Sequence, residues 1–256
     1  MGKKAKIDRF DLFKVFLASF FMQAVWNFRS LISIGFSICF LPVIGKLCDT
    51  PEAKRKFLQR HLRFFNAHPY FASYALGVSI RLEEMMEKND LQIAETIDRF
   101  KDLLISPLGA LGDRLFWATI KPAALLCGMV MIFLFPGLHL KLLALFITFL
   151  IYNIPHFYYR YRGILEGYEH PMDIHRYIRQ QRFEKVRKFF FYLLILALLI
   201  FLMSYGYSLY KTQPILLMFF ILSFLYAWFF SRISNNFYLV SLGTFIFFFC
   251  VAILFL

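Results

Sequence analysis

Few residues in this chain could do chemistry, and they fall in two short stretches. Asn66, His68 and Tyr70 lie in "NAHPYF", and Asp113 and Trp117 lie in "GDRLFW". An Asn amide offers a donor and an acceptor, a neutral imidazole does likewise, and a carboxylate accepts. Tyr70 and Trp117 add flat apolar faces. Such a set suits recognition of a polar ligand, because each buried polar group left unpaired costs about 1–3 kcal/mol. The same residues also have a purely structural reading. Asn66 ends a helix in the left-handed conformation, Pro69 disfavours helix at His68, and Asp113 caps a helix that begins at Arg114.

No other constellation suggests a reaction centre. Glu83 and Glu84 are adjacent and point to different sides of a helix, so they do not form a catalytic pair; one of them is expected to pair with Arg81 or to face a partner subunit. His139, His156, His170 and His175 lack carboxylate or Cys partners at metal spacing, and no metal is expected. The phosphate-cradling loop with its Gly-Lys-Ser/Thr ending is missing, so direct drive by ATP is not expected. Cys39, Cys48, Cys127 and Cys250 read as small hydrophobes. No catalytic residue and no cofactor are predicted.

The elements that must position these residues are set by composition. The chain has 256 residues, 60% of them hydrophobic, and its 35 Phe exceed what a soluble core of this size needs. Lipid-facing helices explain them. The formal charge of +13 then reflects basic cytoplasmic segments and anionic headgroups rather than nucleic acid. Residues 1–45 read as short amphipathic, membrane-embedded helices broken near Gly35 and Pro42. Residues 46–121 form a core region that holds both candidate stretches. It opens with a basic helix from Pro51 to about Phe65, capped by Asp49 or Thr50. A second helix follows from about Phe71, and a third from Leu91 to Leu104. Residues 122–155 are apolar and interrupted at Pro136-Gly137, which marks either a kink or a return of the chain. Residues 156–188 form a basic connector with eight Lys/Arg against four Asp/Glu. Residues 189–256 hold apolar runs long enough to cross about 30 Å of hydrocarbon. The expectation is an all-α polytopic membrane protein, with broken and re-entrant helices in its N-terminal half and transmembrane helices in its C-terminal half. The basic segments should face the cytoplasm and the C-terminus the outside.

"SFFMQAVWNF" (19–28), "RHLRFFNAHPYFASYALGVSIRLEE" (60–84) and "SPLGALGDRLFWATIKP" (106–122) resemble the enzyme IID component of mannose-family (mannose/fructose/sorbose) sugar phosphotransferase systems. "YNIPHFYYRYRGILEGYEHPMDIHRYI" (152–178) is similar through its Asn, its Arg and its Gly-Tyr pair. The resemblance implies a multi-pass subunit of the bacterial cytoplasmic (inner) membrane that pairs with a IIC subunit. The pairs would form higher oligomers and carry a hexose inward. A cytosolic IIB, recharged by IIA, would phosphorylate the sugar. It also implies a substrate-binding role for Asn66, His68 and Asp113, with Tyr70 and Trp117 lining the path. The chain departs from the family pattern at Ser106, at Glu169-His170 and, above all, at Arg114. A cation there can pair with Asp113, which favours an alternative: a non-transporting membrane scaffold or regulator that keeps the fold.

Overall fold

The structure is a computed structural model that describes residues 6–86, 91–233 and 236–255. It is all-α. Among the described residues, four helices are long and apolar enough to cross a membrane: Ile93–Leu134, Gly137–Glu169, Ile174–Thr212 and Pro214–Arg232. The chain divides into two compact units, residues 1–197 and 198–256.

The first unit opens with short, broken elements, as the interrupted sequence predicts. Helix α1 (Arg9–Ala18) starts in a capping box: Asp8 accepts from the Asp11 amide at 2.8 Å, and Asp11 accepts from the Asp8 amide at 3.1 Å. A 3-10 turn (Ser19–Phe21), α2 (Ser33–Ile38) and α3 (Ile44–Leu47) follow. Lys46 of α3 reaches back to the buried Asp11 of α1.

Helix α4 (Pro51–His61) has Thr50 as its cap and Pro51 in its first turn, as expected. Its end differs from the expectation. It stops at His61, and Asn66 is not left-handed; among the described non-glycine residues only Leu31 has positive φ. A remote residue supplies the stop. The ammonium of Lys101 donates to the carbonyls of Arg60 and His61 at 3.0 and 3.5 Å.

Helix α5 (Ala72–Met85) lies against α8 (Gly137–Glu169) with backbone nearly touching backbone. A Cβ added to Gly77 would stand 2.2 Å from the Ile164 carbonyl oxygen, and one added to Gly167 would stand 2.3 Å from that of Tyr74. Gly163 and Gly167 form a small-xxx-small pair, the spacing that lets membrane helices approach closely. Near its end α5 carries Glu83, buried and held by Arg60 at 2.8 Å and His61 at 2.9 Å. Burial penalises this carboxylate, yet its His61 and Arg60 partners outweigh that and hold it below the ordinary range. Glu84 is the one that pairs with Arg81, at 2.5 Å. Both glutamates are therefore structural.

Helix α6 (Leu91–Gly112) runs on without interruption through a π-helical segment (Asp113–Ile120) into α7 (Lys121–Leu134). Asp113 thus caps nothing, contrary to the structural reading of its sequence. Pro136 and Gly137, the latter at φ +74°, then reverse the chain. Gly128 of α7 packs against Thr148 of α8, so the break is a return and not a kink. The basic connector is mostly helix. Only residues 170–179, which include α9 (Ile174–Tyr177), separate α8 from α10 (Gln180–Thr212). Glu166 of α8 ties these two helices by accepting from Arg182 of α10 at 2.5 Å, and it also accepts from Arg162 on its own helix at 2.5 Å.

The second unit comprises the end of α10, α11 (Pro214–Ile233) and α12 (Phe237–Phe255). Tyr226 and Phe247 stack across α11 and α12 with ring centroids 4.8 Å apart. Exposed Leu and Phe cover the spans, which suits a lipid solvent.

Candidate functional site

The chain between α4 and α5 crosses the helix of α6 and α7 at Gly112. A Cβ there would lie 2.2 Å from His68 Cβ, so only glycine admits the histidine. His68 is buried, with its ring stacked on Phe116 at 5.5 Å and tilted against Trp117 at 5.0 Å. Its Nδ1 accepts from the Tyr70 amide at 3.3 Å. A neutral ring that accepts at Nδ1 carries its proton on Nε2. That Nε2 is buried and has no hydrogen-bond partner. A fixed, unsatisfied donor beside two aromatic faces is a place where a polar ligand gains a bond that the protein alone does not supply.

Behind this lies a second layer. The Tyr70 and Tyr152 hydroxyls are 2.7 Å apart, and the Tyr70 ring stacks on His156 at 3.7 Å. Arg160 is buried, and its Nε donates to His156 Nε2 at 3.0 Å. Its Nη1 donates to the Ser19 carbonyl, and to the Ser19 hydroxyl at 3.0 Å. The guanidinium also lies over the Phe20 ring at 4.8 Å and the Tyr70 ring at 5.0 Å. Among the described residues no carboxylate pairs with it. One side chain of α8 therefore contacts two of the breaks in the N-terminal half, the 3-10 turn and the His68–Tyr70 stretch.

The structure brings together His68, Tyr70 and Trp117. Asp113 follows Gly112 directly and is exposed. Asn66 is also exposed, at the outer end of the same extended stretch. Arg114 does not pair with Asp113; its guanidinium turns to Gln180 at the base of α10. Sequence reasoning missed Tyr152, His156 and Arg160. A signal was present: three polar residues four apart share one face of an apolar helix.

Burial, and then the charge of Arg160, push His68 down to about 3. The unfolded chain takes up that proton below about pH 6.5, whereas the folded chain does not until far lower. Stability is therefore complete above about pH 6.5 and falls as pH drops, by about 1.4 kcal/mol per pH unit for this one group. His68→Gln should flatten the fall in melting temperature between pH 7 and pH 5. Parallel curves for the two proteins would contradict a buried neutral His68.

Comparison with known proteins gives a consistent set of matches. Residues 6–200 match the model of the PTS system mannose/fructose/sorbose family IID component. The chain is 35% identical to the PTS system mannose-specific EIID component of Escherichia coli (strain K12) over 173 residues, covering 66% of this chain and 58% of that protein. It is 27% identical to the fructose permease IID component of Bacillus subtilis (strain 168), covering 73% and 66%. Among solved structures it is similar to the mannose transporter ManYZ in complex with microcin E492 (TM-score 0.56, 27% identity, 97% and 96% coverage). It also shares its fold with another membrane protein (TM-score 0.69, 23% identity, 96% and 97% coverage).

Proposed function

Because the chain belongs to the mannose/fructose/sorbose family of phosphotransferase-system IID components, we propose that it forms, with a IIC subunit, the path by which a hexose enters the cell through the inner membrane. IIB then phosphorylates the sugar on the cytosolic side and is recharged by IIA. The pairs assemble into higher oligomers. The chain contributes recognition and no catalytic group of its own. The observation that carries the reading is the buried, unpartnered Nε2 of His68 between Phe116 and Trp117. Aromatic faces suit the apolar face of a sugar ring, and a fixed donor suits one of its hydroxyls. Asn66 and Asp113, both exposed beside this point, are the remaining groups for hydroxyls. Among the described residues Arg114 forms no ion pair with Asp113, which favours the transport reading over a non-transporting scaffold.

The test is hexose uptake in cells that lack their own mannose permease, with the partner subunits supplied. Lipid cannot satisfy sugar hydroxyls, so the path needs protein on all sides. The chain alone should give no uptake, and robust uptake without IIC would overturn the reading. In the assembled complex, Asn66→Ala, His68→Ala and Asp113→Asn should each weaken sugar binding by about 1–3 kcal/mol, roughly one to two decades in affinity. Normal affinity in both the Asn66 and His68 variants would remove them from the sugar path.

A further inference from the structure

The helix that carries Asp113, Phe116 and Trp117 is soft where it passes His68. Pro107 interrupts its hydrogen bonding, and Gly109 and Gly112 weaken it. Pro122, behind the π-helical segment, gives no N–H to the Ala118 carbonyl, so an α register would already lack a bond there. A π segment is rare, and it persists where the surroundings fix it. Inside the segment, the Thr119 hydroxyl donates to the Arg114 carbonyl at 2.9 Å, five residues back. From outside, one side chain grips it. Arg114 lines a shallow notch together with Gln180, Phe183, Glu184 and Arg187 at the base of α10. The Gln180 side-chain amide lies against the guanidinium, and with its oxygen facing Arg114 it would accept from it, with Nη2 at 3.3 Å. Glu184 lines the same notch and is held there by Arg187 at 2.9 and 2.6 Å.

We propose that Arg114 is a positioning residue, anchoring the π segment to α10 and so fixing the register in which Phe116 and Trp117 flank His68. Slipping by one residue would turn the following side chains by about 100° and carry the Trp117 ring off His68. The sugar-binding consequence rests on the proposed role of the site; the mechanical one does not. The departure from the family pattern at Arg114 is thus a latch to α10 rather than a counter-ion for Asp113.

The test uses the full chain, co-expressed with its membrane partner and held in nanodiscs. Trp26→Phe and Trp228→Phe, with the partner's tryptophans likewise replaced by Phe, leave Trp117 as the reporter. Arg114→Ser and Gln180→Leu should each shift Trp117 emission to the red and increase its quenching by acrylamide. The double variant should change no more than either single one, because the two side chains form one contact. In uptake assays with mannose, Arg114→Ser should raise the apparent KM several-fold while Vmax is kept. If Arg114→Ser does not fold, Gln180→Leu carries the test alone. Unchanged Trp117 emission and quenching, or effects that add in the double variant, would overturn the latch. A Trp117 shift in both variants, with no hexose uptake by the parent complex, would uphold the latch and reject the transport reading instead.

Discussion

Gly167→Val should leave almost no folded chain in the membrane. Even the first carbon of the new side chain would lie 2.3 Å from the Tyr74 carbonyl oxygen and 2.9 Å from the Val78 amide nitrogen. Both are backbone atoms inside a helix, so neither can turn aside. Ordinary overpacking costs about 1–3 kcal/mol because side chains yield. Here α5 and α8 must separate, and the loss should exceed that range. Against a total stability of about 5–15 kcal/mol, it is close to decisive. Gly77→Val should act alike, since its Cβ would meet the Ile164 carbonyl at 2.2 Å. Gly45→Ala is the control, because nothing lies within 4 Å of its added carbon. The measurements are the amount of chain in the membrane fraction and the melting temperature of what remains. Equal accumulation of Gly167→Val and Gly45→Ala would show that the α5–α8 contact does not hold the fold.

Arg160→Met should lower the melting temperature sharply and abolish sugar binding with it. Methionine fills much of the space but supplies no donor. His156 Nε2 then loses its partner, at a cost of about 1–3 kcal/mol for a buried orphan, and the Ser19 carbonyl keeps only the Met22 amide. The faces of Phe20 and Tyr70 lose the cation as well. Arg160→Lys should rescue little, because one ammonium cannot reach what a planar fork reaches from two sides. A lysine variant that melts like the parent and binds sugar normally would show that charge alone matters and that geometry does not.

Both predictions rest on contacts that sequence shows unequally. The apolar runs, the broken N-terminal half and the Thr50-Pro51 helix start follow from local chemistry, and the structure has them. His68 was legible because Pro69 must break a helix beside it. Its partners were not, since the crossing at Gly112 is 44 residues further on and nothing local marks that glycine as a socket. The end of α4 was misplaced for the same reason: its stop is Lys101, not the neighbouring Asn66. Asp113 looked like a cap because Gly-Asp often starts a helix. The π segment lets the helix continue instead, and periodicity does not register a change of one residue per turn. Arg114 beside Asp113 suggested a pair, yet neighbours on a helix point apart, and the arginine found its partner on α10.

The reach of Arg160 to Ser19 spans 141 residues, and this bears on how the chain is made. A ribosome delivers the N-terminus first. The Ser19 carbonyl and hydroxyl must wait until α8 emerges before they meet the guanidinium that ties them down, and α4 stays open-ended until Lys101 has been added. The first third of the protein therefore leaves the ribosome as a set of unfinished segments that later helices complete. A chain stopped before residue 160 should be recognised as incomplete and degraded, while its first four helices already have their full sequence.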